Sequence, residues 1–181
     1  MTYKISGWMP IRTIACMAVF SIAAAAGAQK SDWKSYSYPA DGFQANYPSV
    51  PELTKKDIPT EAGSFQLHTY LAEIGSAALN ISVCDFGPKP PQKTPEEILE
   101  GTKNAALQNS SSHILREKKI TLGNYPGLEF QAQSENALVT ARIYLVGNLM
   151  YETLVVAPLG KPFPDTTRFL DSFQLIAKAA N

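Results

Sequence analysis

Residues 137–157 read ALVTARIYLVGNLMYETLVVA, and the fold turns on this stretch. Val139, Ala141, Ile143 and Leu145 alternate with Thr140, Arg142 and Tyr144, the period of two that sends successive side chains to opposite faces of a strand. Gly147-Asn148 supplies a two-residue turn. Met150, Leu154 and Val156 then return opposite the same apolar face. This register sets Tyr144 across from Tyr151 on one face and Glu152 across from Ile143 on the other. A carboxylate on an apolar face needs a partner, or its pKa rises, and Arg142 lies on the wrong face to serve. Arg142, Tyr144, Tyr151 and Glu152 are therefore the candidate binding residues. The plainer alternatives are a local twist or edge exposure at Glu152 and ordinary cross-strand stabilisation by the tyrosines.

Working outward, the second half reads as a four-strand meander. Residues 114–122 and 128–133 are separated by Gly123-Asn124-Tyr125-Pro126-Gly127. An odd loop puts Ile120 and Leu122 on one face with Leu128, Phe130 and Ala132, whereas an even loop sets Leu128 against Lys119, so the pattern predicts the odd loop. Upstream, Phe43, Ala45 and Tyr47 alternate with Gln44 and Asn46 until Pro48 and Pro51 intervene. Residues 52–62 are polar and turn-rich. Phe65, Leu67, Thr69 and Leu71 alternate with Gln66, His68 and Tyr70. Beyond Gly75-Ser76, Leu79, Ile81 and Val83 alternate with Asn80, Ser82 and Cys84, which predicts an antiparallel hairpin. A helix follows: Thr94 caps it, Pro95 takes its first position, and Glu97 completes a capping box. Ile98, Leu99, Thr102, Ala105 and Ala106 form its packing stripe, with Glu96, Glu100, Lys103 and Asn104 toward water. A last helix starts near Asp165, and Leu175-Ile176 adds a short closing strand. The class is α+β, an antiparallel sheet of about six strands with helices or loops over both faces.

The N-terminus reads as an export signal. Lys4 and Arg12 precede an apolar run from Ile14 to Ala26, broken only by Ser21, and Ala26-Gly27-Ala28 suits cleavage before Gln29. An uncleaved anchor is the alternative, although the run is shorter than the ~20 residues a spanning helix needs. Thr13-Ile14-Ala15-Cys16 makes a poor lipidation site. The alanine-rich leader looks bacterial, which points to the periplasm or the cell exterior. Cleavage leaves residues 29–181, a single monomeric domain of 153 residues with 14 basic and 16 acidic side chains, and no transmembrane span. A chain with no basic excess is a poor nucleic-acid binder. Its composition, 45% hydrophobic and 18% charged, is that of a globule rather than a disordered chain.

Reactive constellations are scarce. The mature sequence holds His68 and His113 and the single cysteine Cys84, with no Cys-x-x-Cys, His-Glu-x-x-His, phosphate-loop or Gly-x-Ser-x-Gly pattern. No metal or cofactor is expected: a zinc site from both histidines with Cys84 or Asp85 needs a tertiary coincidence. Ser31-x-x-Lys34 has the spacing of a Ser-Lys dyad but lies near a chain end. A thiol enzyme or hydrolase would need Cys84 beside His68 or His113, with an acid such as Glu152. A buried structural thiol is the simpler reading, and His68 is then a strand-face residue.

The order of these segments resembles a known family. Gly42-Phe43-Gln44-Ala45-Asn46-Tyr47-Pro48, a hairpin and a Pro-capped helix lead to Gly123-Asn124-Tyr125-Pro126-Gly127-Leu128-Glu129-Phe130. The series continues with Arg142-Ile143-Tyr144-Leu145-Val146-Gly147-Asn148-Leu149-Met150-Tyr151 and Arg168-Phe169-Leu170-Asp171-Ser172-Phe173. This resembles the Mog1/PsbP-like α/β/α sandwich proteins, particularly their secreted bacterial members of unassigned role. The resemblance implies a non-enzymatic binding or assembly module, as in the Ran-binding and photosystem-associated members. No functional residue of those members matches here, and a bacterial address argues against either partner. The expectation is an exported module acting through a sheet face or loop surface on a protein partner, or on a small apolar ligand lined by the 139–156 hairpin. The enzyme based on Cys84 is the alternative.

Overall fold

A computed structural model describes residues 32–60, 63–88 and 92–178. The export signal, Cys16 and Ser31 lie outside the described residues.

Strand β5 (Ala77–Asp85) is buried along nearly its whole length, because small and apolar side chains occupy both of its faces. It is an interior strand of a seven-stranded antiparallel sheet, next to the central strand. One hairpin turn joins it to β4 (Gly63–Ile74), which pairs in turn with the edge strand β3 (Glu52–Thr60). On its other side the meander β6 (His113–Leu122), β7 (Tyr125–Gln133), β8 (Ala137–Val146) and β9 (Leu149–Pro158) attaches through β9. The strand order is β3-β4-β5-β9-β8-β7-β6. In the β8–β9 hairpin Ile143 pairs with Glu152 and Tyr144 with Tyr151, as the spacing predicts.

Each face of the sheet has its own cover. Helix α1 (Pro95–Asn109) lies over β7 and β8 and is fixed at its start by the Thr94–Glu97 capping box. Under it, Leu99 and Ala106 join Leu128, Phe130, Val139, Ala141, Ile143 and Leu154 in one core. The opposite face is covered by a second sheet. Here β2 (Phe43–Tyr47) is flanked by β1 (Lys34–Tyr38) and β10 (Gln174–Leu175), with the short helix α2 (Thr166–Asp171) alongside. Phe43, Ala45 and Tyr47 from β2 meet Phe169 and Phe173, and these pack on Tyr70, Leu79, Ile81, Tyr144 and Tyr151. Burying this aromatic group contributes roughly 25 cal/mol for each Å² of apolar surface removed from water.

Four features depart from the sequence reading. The main sheet has seven strands, and three more form the small one. Polar residues 52–60 form β3 rather than a turn-rich connection, since an edge strand buries little and needs no apolar alternation. In the β6–β7 hairpin the loop is even: Lys119 pairs with Leu128 and Glu117 with Phe130. Gly123 takes φ 59°, while Asn124 is not left-handed, the demand of a II′ turn. That turn places Ile120 and Leu122 on the aromatic face and Glu117 under α1. There it meets the fourth departure: Lys103 is buried, with Nζ donating to Glu117 at 2.5 Å and pairing with Glu100 at 2.7 Å.

Candidate functional site

In β4 the alternation sends His68 and Tyr70 to the face shared with Val83 and Ile81 of β5. Above them the β1–β2 turn carries Asp41, whose N–H donates to the Tyr38 carbonyl at 3.0 Å. Gly42 adopts φ 71°, and a Cβ there would lie 3.2 Å from the Tyr151 hydroxyl, so the turn admits little but glycine. The Tyr151 hydroxyl donates to the Asp41 carbonyl at 2.8 Å, and the Ile176 N–H donates to the Gly42 carbonyl at 2.9 Å. The turn is thereby clamped to β9 and to the segment after β10.

So held, Asp41 is buried, with its side chain 9% exposed, and its carboxylate accepts from two side chains. His68 Nδ1 lies 2.9 and 2.8 Å from its two oxygens, and the Tyr70 hydroxyl donates to Oδ2. A carboxylate can only accept, so Nδ1 carries the proton and the neutral ring keeps its lone pair on Nε2. Burial, reinforced by the hydrogen bond to Asp41, pushes the Tyr70 phenol well above its ordinary range. Burial first and the Asp41 charge second push Tyr151 up to about 12. Both hydroxyls therefore stay protonated donors throughout the physiological range.

His68 and Asp41 lie at one side of an open cavity of about 490 Å³, lined also by Lys55, Asp57, Gln66 and Asp85. Lys55 pairs with His68, and Asp57 with Gln66, across β3 and β4, so all four face the same way. Lys178 closes the rim, with Nζ 3.5 Å from Asp85.

The residues singled out in the sequence fall elsewhere. Tyr144 stacks on Phe173 inside the aromatic core, and Tyr151 holds the Asp41 turn from beneath. Glu152 lies on the opposite face, fully enclosed, with Oε1 lacking a hydrogen-bond partner and the carboxyl pushed up to about 7 by burial. Arg142 donates from Nε to Glu129 and from Nη1 to Asp171, each at 2.7 Å. Burial opposes ionisation of Glu129, but the hydrogen bonds from Arg142 and Lys118 outweigh it and hold the carboxyl below its usual range. Arg142 lines a second cavity of about 250 Å³ with Gln131, Thr140, Phe163 and Leu170. The four residues thus occupy two faces and do not form one surface.

The groups required by a thiol enzyme are also apart. Cys84 is buried on the α1 side, paired with Leu67 and Met150. Its strand neighbour Val83 pairs with His68, so thiol and imidazole point to opposite faces. His113 lies on β6, four strand spacings from β5, about 19 Å away. Sequence reasoning missed Asp41 altogether. The one signal was the Pro39-Ala40-Asp41-Gly42 turn, together with the shared face of His68 and Tyr70.

No protein-family model and no curated protein matches the chain. Among solved structures the fold is PsbP-like: two covered layers around an antiparallel sheet, as the resemblance in sequence order implies. The solution structure of cyanobacterial PsbP (CyanoP) from Synechocystis sp. PCC 6803 superposes with a TM-score of 0.54 at 10% identity, over 85% of this chain and 98% of that one. A crystal structure from Bacteroides thetaiotaomicron VPI-5482 aligns with 78% of this chain and 48% of its own, at 16% identity and a TM-score of 0.39. Among the described residues no helix is long and apolar enough to cross a membrane.

Proposed function

We propose that the protein is an exported, non-enzymatic binding module that engages its partner through the cavity between the β1–β2 turn and the β3–β4–β5 end of the sheet. The carrying observation is His68, fixed from behind by the buried Asp41 carboxylate and lining an open polar concavity. Side chains held this firmly present a preorganised surface, which lowers the entropic cost of association. The likeness in fold to a PsbP protein and the separation of Cys84 from both imidazoles support binding rather than chemistry. The polar lining favours a partner with charged or hydrogen-bonding groups over a small apolar ligand. Arg142, resting on Glu129 and Asp171 at the second cavity, is the subsidiary contact surface in this reading.

Site-specific photocrosslinking in the producing cell tests the proposal. A crosslinker at Gln66 on the cavity is expected to trap a discrete partner that one at Glu96, exposed on α1, does not. Equal, diffuse labelling from both positions would overturn it.

A further inference from the structure

The pairing of Lys55 with His68 has chemistry beyond a generic binding surface. The two residues are direct cross-strand neighbours on one face, where Cβ atoms stand about 5 Å apart. Among the described residues Lys55 has no carboxylate within ion-pair distance, whereas Lys178 is engaged with Asp85. His68 Nδ1 is committed to Asp41, and Nε2 has no hydrogen-bond partner among the described residues. We propose that the cavity is an oxyanion site, in which a carboxylate- or phosphate-type oxygen is held between Lys55 Nζ and His68 Nε2 while His68 takes up a proton. This rests on reading the cavity as the binding surface.

The reasoning is electrostatic. An anion needs donors, and Nε2 donates only when the ring is cationic. Asp41, buried behind the ring, then balances the imidazolium, and the order Asp41, His68, ligand, Lys55 alternates in sign. The other charged or titratable groups at this cavity are Lys56 and Asp57 next to Lys55 on β3, Asp85 on β5 with Lys178 at the rim, and Tyr70 on β4, with Tyr38 stacked against it. Asp57 is the one that opposes an anion. It is exposed, so water and salt weaken its repulsion.

The test follows the backbone amide resonances of Lys55, Gln66 and residue 68 at the cavity by NMR, with the imidazole Cε1–H of His68 read as well in the chains that keep it, during titration with sulfate, and separately with acetate. Sulfate keeps its charge over the range used, so any pH dependence belongs to the protein. The expected result is a saturable shift whose affinity is higher at about pH 5.5 than at about pH 8, falling up to tenfold per pH unit. The tighter of the two anions tells whether the natural ligand carries a tetrahedral or a carboxylate group. Lys55→Gln is expected to weaken binding about tenfold, the loss of one charge-assisted hydrogen bond. Asp57→Asn should strengthen it a few-fold. His68→Asn retains an amide N–H toward Asp41, which keeps the turn in place, but removes Nε2; it should abolish the pH dependence. Absence of a saturable shift, or a shift indifferent to both Lys55→Gln and His68→Asn, would overturn the oxyanion site. Crosslinking from Gln66 without any anion response would overturn it too, while leaving the binding module standing.

Discussion

Glu152 is an acid in an apolar layer, and the physics of that position is simple. It is enclosed, its Oε1 has no donor, and on the same face Asn80 Oδ1 is likewise without one. Ser82 pairs with Glu152, and Asn80 lies one step diagonally away and donates to Ser82 at 2.9 Å. An enclosed carboxylate oxygen without a donor is costly, whereas a protonated one needs none, so the neutral acid suits the site. Burial raises the carboxyl from 4.5 to about 7, meaning that the folded chain binds this proton more tightly than the unfolded chain. The sign follows: the group is neutral to stability below about pH 4.5 and costs progressively more as pH rises, reaching about 3 kcal/mol above pH 7. Glu152→Gln removes the titration while keeping the shape and an N–H donor. It should be more stable than the parent at about pH 8 and lose the downward slope between about pH 5 and 8 in urea unfolding. An unchanged slope would show that the carboxylate is solvated in the fold. Glu152 was legible as a buried acid because its strand partner is only nine residues away, across a turn that the sequence announces. Asp41 was not, because its partners lie 27, 29 and 110 residues along the chain.

Among elements, the hairpins divide by what set their register. In β8–β9 the turn and the apolar alternation agree, so either suffices to place Ile143 against Glu152. In β6–β7 they disagree. Matching Ile120 and Leu122 to Leu128 and Phe130 assumes that both strands bury the same face, whereas β6 is an edge strand whose apolar pair serves the aromatic side. The Gly123-Asn124 turn prevails, and a one-residue shift exchanges all the faces. Its consequence is the ion triad of Lys103 with Glu100 and Glu117 beneath α1. Burial disfavours the ammonium, but the two carboxylates outweigh it and raise the Lys103 pKa. Both acids are nearly half exposed, so they can resolvate if the lysine is lost. Lys103→Met is therefore expected to change stability by less than about 1 kcal/mol, since a buried charge saves little over a well-packed apolar chain. A loss above about 2 kcal/mol in chemical denaturation would show that the triad is a net stabiliser. The edge strand β3 and the lead strand β1 escaped notice for a related reason: neither has the continuous burial that writes itself into a period of two.

For the whole molecule, the class, the meander, the hairpin β4–β5 and the helix α1 over one face were readable, because the single hairpins that build the sheet, and the capped start of α1, are each encoded within about 20 consecutive residues. The small sheet was not, since it joins strands at opposite ends of the described chain. In it β1 and β10 flank β2 and run in the same direction. Lys34 stands opposite Tyr47 and Leu175 opposite Phe43, so two strand spacings and four residues of rise separate them, about 17 Å. A bridge of about eight residues spans that gap with slack. The polypeptide is therefore close to a ring in space. Joining the segment after β10 to the one before β1 and reopening the chain at Ser111-Ser112, between α1 and β6, should give a circular permutant that unfolds in one cooperative transition like the parent. Failure of the rewired chain to fold would mean that the native connectivity itself, and not only the final contacts, is needed to lay the aromatic lid onto its sheet.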